Sequence, residues 1–338
     1  MVRVALIGAG KMGLSHLSIL GAHAEVEIVG VCDTSKMVTD VLEKYSGFKC
    51  FSDYAKMISQ VKPDAVFVSV PTKMHFQIIK DLLAAKIHVF SEKPFCLKPE
   101  EGAILIEMLA HSGLINQVGY HNKFIGTFQE VKKLIDNRSI GEVYHFQAEA
   151  YGPVVIRKKQ ETWRSSPEEG GGCLMDYASH VVDLLNYLIS PVAEVHSSTL
   201  KSIFSSQVDD AVYAMLKLKN EVSGLLSVNW SDETHRKMST SITICGTNGK
   251  IISDASELKV FFNDSSNCPD SYTKGWNIKY VTELSMPVDF YLRGEEYSAQ
   301  IDHFIDAVLG RRAQSINTFE SAHLTDVALN MIKLKSLN

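Results

Sequence analysis

The sequence lacks the features that mark several common protein classes. Its six cysteines form no C-x-x-C pair and have no histidine-rich neighbourhood, so neither a zinc site nor a disulfide framework is predicted and the thiols are expected to be reduced. No apolar run approaches the roughly 20 residues that a membrane-spanning helix needs. Because no basic stretch with a cleavage site precedes the first predicted strand, we expect a cytoplasmic protein.

An excess of positive charge is also missing. Lysine and arginine total 34 against 39 aspartate and glutamate, and the formal charge of -5 gives no general attraction to nucleic acid or to an anionic membrane. A hydrophobic share of 45% in 338 residues excludes disorder and allows two domains. The expected partner is a small molecule, with no metal predicted.

The first 121 residues alternate between strand-like and helical patterns. Short runs rich in β-branched residues are separated by stretches in which apolar residues recur at helical spacing. This alternation predicts a parallel, doubly wound α/β sheet, so residues 1–121 are expected to form a Rossmann domain. The predicted strands are Val2–Ile7, Val26–Cys32, Ala65–Val70, His88–Ser91 and Asn116–Tyr120.

After residue 121 strand-like runs follow one another with few helices between them. This pattern predicts an α+β domain with a large, mainly antiparallel sheet over residues 122–338. No internal repeat or low-complexity linker is visible. One helix is predicted at Thr127–Asn137, and strands at Glu142–Tyr151, Ala211–Lys217, Val222–Trp230, Ser241–Cys245 and Leu258–Phe262.

The glycine motif Gly8-x-Gly10-x-x-Gly13, with Lys11 and Met12 inside it, follows the first strand and opens a helix. The first glycine permits a tight turn, the second lets the backbone approach a pyrophosphate, and the third lets helix and strand pack closely. Alone it could be a simple turn, but Asp33 ends the next strand about 20 residues later, as in dinucleotide-binding proteins. A carboxylate there accepts ribose hydroxyls and repels a 2′-phosphate, which favours NAD over NADP.

Two further motifs carry candidate chemistry. Glu92-Lys93-Pro94 follows a strand at the carboxyl end of the predicted sheet, where Lys93 can hold a substrate hydroxyl or the nicotinamide ribose, or can be a solvated loop lysine. After a predicted glycine hinge at 170–172, Asp176 and His180 share one helical face. The imidazole can take a proton from an alcohol while the carboxylate orients the ring or binds substrate, although helical Asp-His pairs are common. Asp183 and Cys173 are interpreted as structural.

In their order and spacing the three motifs resemble the glucose-fructose oxidoreductase / inositol dehydrogenase family (Gfo/Idh/MocA). Lesser features agree: Pro71 with His75, the 119–124 segment, and Trp163-Arg164 before the glycines. The resemblance implies an NAD(P)-binding Rossmann domain and a second domain with a large open sheet. It also implies sugar-like or cyclitol substrates, and a homodimer or homotetramer built through that sheet.

The resemblance also implies roles for individual residues. Lys93, Asp176 and His180 match the family's Lys, Asp and His constellation, with His180 as the acid/base. Departures are Tyr177-Ala178, where the family often has a small residue and glycine, and Lys123, where arginine is usual; they bear on substrate choice. The implied cofactor contacts outside the glycine motif and Asp33 are Val70, Pro71, His75, Glu92, Lys93, Asn122, Trp163 and Arg164, and the implied substrate contacts are Lys93, His121, Asn122, Asp176, Tyr177 and His180.

Two basic groups, Arg157-Lys158-Lys159 and His235-Arg236-Lys237, fall in predicted loops of the second domain. They could meet a phosphate or carboxylate on an anionic or nucleotide-linked sugar, with Arg236 as a candidate contact, or they could be solvated surface.

The leading hypothesis is hydride transfer between a nicotinamide and a secondary alcohol or ketone of a sugar. Two alternatives stay open: a cofactor-binding regulator without turnover, against which the intact Lys93, Asp176 and His180 argue, and a glycosidase that retains NAD.

Overall fold

The computed structural model describes residues 1–154, 162–265 and 268–337. They form two compact units. The first contains Met1–His121 and Pro287–His323, and the second contains Asn122–Met286 and the residues from Leu324 onward. The sequence predicted one boundary after residue 121, whereas in the structure the chain returns to the first unit near its end.

The secondary structure follows the predicted order of elements. The strands are β1 (Val2–Ile7), β2 (Val26–Cys32), β3 (Cys50–Phe51), β4 (Ala65–Val68), β5 (His88–Ser91), β6 (Asn116–Val118), β7 (Val143–Tyr151), β8 (Val192–Lys201), β9 (Ala211–Leu218), β10 (Ser223–Asn229), β11 (Ser239–Gly246), β12 (Gly249–Asp254), β13 (Glu257–Phe262) and β14 (Gly275–Tyr280). The α-helices are α1 (Lys11–Ala22), α2 (Lys36–Ser46), α3 (Tyr54–Val61), α4 (His75–Ala84), α5 (Pro99–Leu109), α6 (Gly126–Asp136), α7 (Ser179–Leu188), α8 (Val281–Leu284), α9 (Glu295–Val308) and α10 (Phe319–Lys335).

The first unit contains a parallel sheet in the order β3-β2-β1-β4-β5-β6. The five predicted strands and the doubly wound Rossmann fold are confirmed, and the two-residue β3 is an addition too short to give a periodic pattern. The strand order reverses between β1 and β4, which are neighbours. Ligands of such sheets bind at the carboxyl ends of the strands beside this switch point, next to Gly8 and Ser69.

Helix α9 belongs to the first unit because its apolar face completes the core of that unit. Ile301 and Ile305 are fully buried. The Phe304 ring meets Phe67 of β4 and Phe90 of β5 edge-on, with centroids 5.5 and 5.8 Å apart. An amphipathic pattern shows that a helix has a face to bury but not which sheet will cover it, so the sequence could not show this return.

The second unit contains an eight-stranded sheet in the order β14-β13-β12-β11-β7-β10-β9-β8. All of its pairings are antiparallel except that of β7 with β10, which confirms the mainly antiparallel sheet. Strands β8, β12 and β14 were not predicted. Alternate residues of β11, β12 and β13 are buried in the core of this unit, together with side chains of α6 and α7.

Within the described ranges, none of the helices combines the length and the apolar character that crossing a membrane would require.

Candidate active site

The glycine turn between β1 and α1 has the shape that its sequence predicts. Gly8 has a φ of 92°, which side chains rarely tolerate, and a Cβ there would collide with the backbone of Ser69. A Cβ on Gly13 would overlap the carbonyl oxygen of Gly8. Around Gly10, in contrast, a Cβ would meet nothing within 4 Å. The outer glycines are therefore needed for packing, and the middle one leaves the backbone open to a ligand.

The first turn of α1 is free for an anion. Gly10 is its N-cap and offers no side-chain cap, and no acidic residue lies in the first turn. The backbone N–H groups of Lys11, Met12 and Gly13 therefore keep their partial positive charge for a phosphate. Beside the turn, among the described residues, the buried hydroxyl of Ser69 has no hydrogen-bond partner. This site fits a dinucleotide, and Ser69 was missed because its only signal was its place after β4.

The Asp33 carboxylate is held in place by the backbone. Oδ2 accepts a hydrogen bond from the N–H of Ala9 at 2.7 Å, and Oδ1 accepts one from the N–H of Ser35 at 2.7 Å. Each oxygen keeps a lone pair for another donor. Two adjacent ribose hydroxyls match that remaining capacity.

His75 is enclosed, which argues against the cofactor contact predicted for its side chain. Its side chain is fully buried, Nδ1 lies 3.0 Å from the carbonyl oxygen of Pro94, and Nε2 lies 3.0 Å from that of Val70. Burial lowers the pKa of His75, although the carbonyl oxygens act in the opposite direction. The imidazole therefore lies between the loop of Val70-Pro71 and the loop of Lys93-Pro94. This placement favours a role for His75 in positioning these two loops.

Glu92 is likewise fixed inside the first unit. His16 of α1 donates a hydrogen bond from Nε2 to Glu92 Oε1 at 2.6 Å, and the backbone N–H of Lys93 donates to Oε2 at 3.3 Å. Burial acts to raise the pKa of the Glu92 carboxyl, but the hydrogen bond and charge of His16 outweigh it and the pKa lies below its ordinary value. The carboxylate thereby orients the backbone at Lys93.

His121 lies next to two residues that the sequence did not reveal. The His121 ring stacks on the ring of Tyr297 of α9, with centroids 4.7 Å apart. The guanidinium of Arg293 contacts the ring of Tyr297. Burial lowers the pKa of His121 to about 4, and the charges of Lys93 and Arg293 act in the same direction. His121 is therefore neutral near pH 7.

In the second unit, Asp176 lies in a turn of π-helix, Leu174–Ala178, which runs directly into α7. Such turns are rare and occur frequently at functional sites. Asp176 and His180 are 4% and 5% exposed, and Arg164 donates from Nε to Asp176 Oδ2 at 2.9 Å. Asp176 and His180, predicted at positions i and i+4 of one helix, therefore lie on either side of the junction between the π-helical turn and α7. The guanidinium of Arg164 holds the Asp176 carboxylate in place.

The glycines before this turn are packed closely and do not resemble a hinge. A Cβ on Gly171 would collide with the Arg164 carbonyl, and one on Gly172, whose φ is 107°, would lie 2.6 Å from Asp209 Oδ1. Cys173 is fully buried, and burial raises the pKa of its thiol, which makes it unreactive. The structural interpretation of Cys173 agrees with this placement.

The remaining predicted contacts differ in accessibility. Tyr177 is only 4% exposed and packs edge-on against Trp230 in the core, so its placement favours a structural role.

Asn122 is buried, and within the described residues its Nδ2 has no partner, which leaves a donor for a ligand. The guanidinium carbon of Arg164 lies 4.6 Å from the ring centroid of Trp163. Arg236 is exposed in the loop between β10 and β11, and Arg157-Lys158-Lys159 lie outside the described residues.

Asp183 forms a buried ion pair. Lys123 Nζ donates to Asp183 Oδ1 at 2.9 Å, and each side chain is 1% exposed. Burial raises the pKa of the Asp183 carboxyl, and the Lys123 charge opposes it. This arrangement fits the structural role that the sequence suggested for Asp183.

The chain is similar to known proteins in both of its parts. Residues 2–120 match the model of an oxidoreductase family with an NAD-binding Rossmann fold, and residues 128–252 match that of the GFO/IDH/MocA C-terminal domain. D-glucoside 3-dehydrogenase of Escherichia coli is 24% identical over 72% of this chain and 75% of its own length. Myo-inositol 2-dehydrogenase of Thermotoga maritima is 23% identical over 75% of each chain.

Solved structures show the same fold. Levoglucosan dehydrogenase in complex with NADH superposes with a TM-score of 0.87 at 19% identity and covers 99% of this chain and 97% of its own. The glycine turn, the Asp176–His180 pair and the two matched family models lead to one conclusion: the chain belongs to the GFO/IDH/MocA family of NAD-binding oxidoreductases.

Proposed function

We propose that the protein transfers a hydride between NAD and a secondary alcohol or ketone of a sugar, a cyclitol or a sugar derivative. The observation that carries this proposal is the Asp176–His180 pair, with Asp176 fixed by Arg164 at a π-helical turn. Relatives named for a glucoside and for myo-inositol support this substrate class.

His180 is assigned the proton transfer. A neutral imidazole takes the hydroxyl proton as the alcohol becomes a ketone and returns it in the reverse direction. Asp176, held by Arg164, would accept a hydrogen bond from a neighbouring substrate hydroxyl or from the imidazole. Lys93 would hold the reacting oxygen and stabilise the negative charge that develops on it. Bound NAD supplies the reversible acceptance of a hydride.

The cofactor would be held by the glycine turn and Asp33. The backbone N–H groups at the start of α1 suit the pyrophosphate, and the oriented Asp33 carboxylate suits the ribose hydroxyls. Asp33 repels a 2′-phosphate, so NAD is the preferred cofactor. Contacts of Val70, Pro71, Trp163 and Arg164 with the cofactor, and of His121 and Asn122 with substrate, stay predictions.

A screen of polyols, sugars and sugar phosphates with NAD or NADP, followed by NADH absorbance, tests this proposal. We expect reduction of NAD by at least one compound. The kcat/KM with NAD should be at least about tenfold higher than with NADP, because repulsion between unit charges near a protein surface amounts to about 1–4 kcal/mol. Release of an aglycone without net NADH would instead favour the NAD-retaining glycosidase, and NADH binding without any turnover would favour a regulator.

We also propose a homodimer or homotetramer assembled through the open face of the second sheet. Tyr213 and Met215 of β9 and Leu225 of β10 are 42%, 43% and 44% exposed, and Leu225 pairs directly with Met215. Exposed apolar side chains that form a contiguous patch mark association surfaces. We expect Leu225→Glu to lower the sedimentation coefficient to that of a smaller species, while Val41→Glu, on an exposed position of α2, leaves it unchanged. Unaltered sedimentation of Leu225→Glu would contradict this interface.

A further inference from the structure

We infer that Arg293 forms an oxyanion subsite of the active site, which selects substrates with a phosphate or carboxylate group; this inference rests on the proposed function. Arg293 lies two residues before the start of α9, next to the N-cap residue Gly294, and belongs to the first unit. No role for Arg293 was predicted from the sequence.

The backbone at Arg293 is strained. Its φ is 69°, in the left-handed region that side-chain-bearing residues rarely adopt, and Gly294 follows with a φ of 137°. Five other non-glycine residues of the described ranges share this conformation, so it sets the direction of the chain before α9 and does not by itself mark a functional site.

Tyr297 anchors the guanidinium. Tyr297 lies one helical turn beyond Arg293, and its ring centroid lies 5.2 Å from the guanidinium carbon, within the range of a cation–π contact. Burial raises the pKa of Tyr297 to about 12, and although Arg293 acts to lower it, the hydroxyl stays protonated near neutral pH. Tyr297 in turn stacks on His121. Arg293 thus packs on the neutral ring of Tyr297, which is backed by the neutral ring of His121.

The charge of Arg293 is not compensated by a carboxylate. The first unit, all of which the structure describes, contains four arginines, and three of them approach a carboxylate: Arg3 meets Glu27 at 4.0 Å, Arg311 meets Glu25, and Arg312 meets Asp306 at 3.3 Å. For Arg293, in contrast, no carboxylate of the described residues is recorded within salt-bridge distance. Glu92 and Glu296 act on Tyr297 through their charges. Glu92 is bound by His16, and the Glu296 carboxylate lies against Gly294 without forming an ion pair with Arg293. Arg293 is exposed and therefore available to an anion.

The subsite lies beside the residue proposed to hold the reacting oxygen. The Glu92 carboxylate, one residue before Lys93, packs against Gly119, two residues before His121, so the loop of Lys93 lies beside the segment that carries His121. The charges of Lys93 and Arg293 both act on the His121 imidazole. A guanidinium presents a planar fork of donors that binds phosphate or carboxylate through two hydrogen bonds. A sugar whose hydroxyl is held by Lys93 could place an anionic substituent on Arg293. Sugar phosphates and uronic acids have the required chemistry.

The test compares glucose 6-phosphate with glucose in the wild type, Arg293→Gln, Arg293→Lys and Arg312→Gln. We expect Arg293→Gln to raise the KM for the phosphorylated sugar by at least about tenfold, because it removes charge-assisted hydrogen bonds to the phosphate, with kcat within about threefold. The KM for glucose should change by less than about threefold, Arg293→Lys should be intermediate, and Arg312→Gln should behave as the wild type. Equal effects of Arg293→Gln on both sugars, or no effect, would overturn the subsite.

A binding experiment separates failure of the subsite from failure of the proposed function. The probe is inorganic phosphate, titrated calorimetrically into protein saturated with NADH, so that the glycine turn is occupied. If neither sugar is oxidised, the proposed function fails for these compounds, yet phosphate should still bind the wild type at least about tenfold more tightly than Arg293→Gln. Equal affinities, or no binding to the wild type, would overturn the inference.

Discussion

His180→Ala is expected to lower kcat by about 10²–10⁴-fold, the range that a positioned acid/base contributes. The variant would bind substrate but leave the hydroxyl proton without its acceptor. The substitution leaves the glycine turn and Asp33, which are proposed to hold the cofactor, unchanged, so the Kd for NADH should stay within about threefold. Single-turnover NADH formation measures the first quantity and fluorescence titration of NADH the second.

A matched control for His180 is His196, on β8 of the same unit, whose side chain is 39% exposed. His196→Ala should keep the kcat of the wild type. Turnover of His180→Ala close to that of the wild type would contradict the acid/base role. A large rise in the Kd for NADH would show that the loss of activity arises from cofactor binding and not from proton transfer.

Asp183→Ala is expected to lower the free energy of unfolding by about 3–5 kcal/mol, because it removes the carboxylate that faces the buried Lys123 ammonium. The two side chains are each 1% exposed, so water cannot take the place of the lost partner. Asp183→Asn keeps a hydrogen-bonding oxygen and should lose less. Urea unfolding, followed by tryptophan fluorescence, measures the change.

The control for this ion pair is the exposed pair of Lys132 with Asp136, in which Asp136 is 56% exposed. Asp136→Ala should cost less than about 1 kcal/mol, as surface pairs do. The double variant Lys123→Met/Asp183→Leu should recover much of the stability, since it buries no charge. Equal losses in Asp183→Ala and Asp136→Ala would show that burial adds nothing to the pair.

Local patterns were sufficient to predict the dinucleotide turn and the parallel sheet. Gly8 and Gly13 can be recognised in the sequence because their backbone conformation and close contacts exclude residues with side chains. Strands such as β4 can be recognised because both of their faces are buried, so their sequences are continuous apolar runs. The i, i+4 spacing of Asp176 and His180 was equally visible. The π-helical turn was not, since it depends on a hydrogen-bonding shift that residue spacing does not encode.

The unpredicted features depend on contacts between distant parts of the chain. The enclosure of His75 results from loops that carry Val70 and Pro94, and the sequence motif gave no measure of its burial. Arg293 and Tyr297 reach His121 only because α9 packs in the first unit. Strand β8 was missed because most of its residues are exposed, which removes the hydrophobic alternation that marks a strand.

The packing of α9 on Phe67 and Phe90 has a consequence for synthesis on the ribosome. The strands that carry these rings are made early, while Phe304 is added about 180 residues after the end of β6, which takes roughly 10–40 seconds at ordinary rates of translation. During that interval one side of the nascent sheet lacks its aromatic cover. The newly made chain therefore passes through a period in which chaperones have an apolar surface to bind.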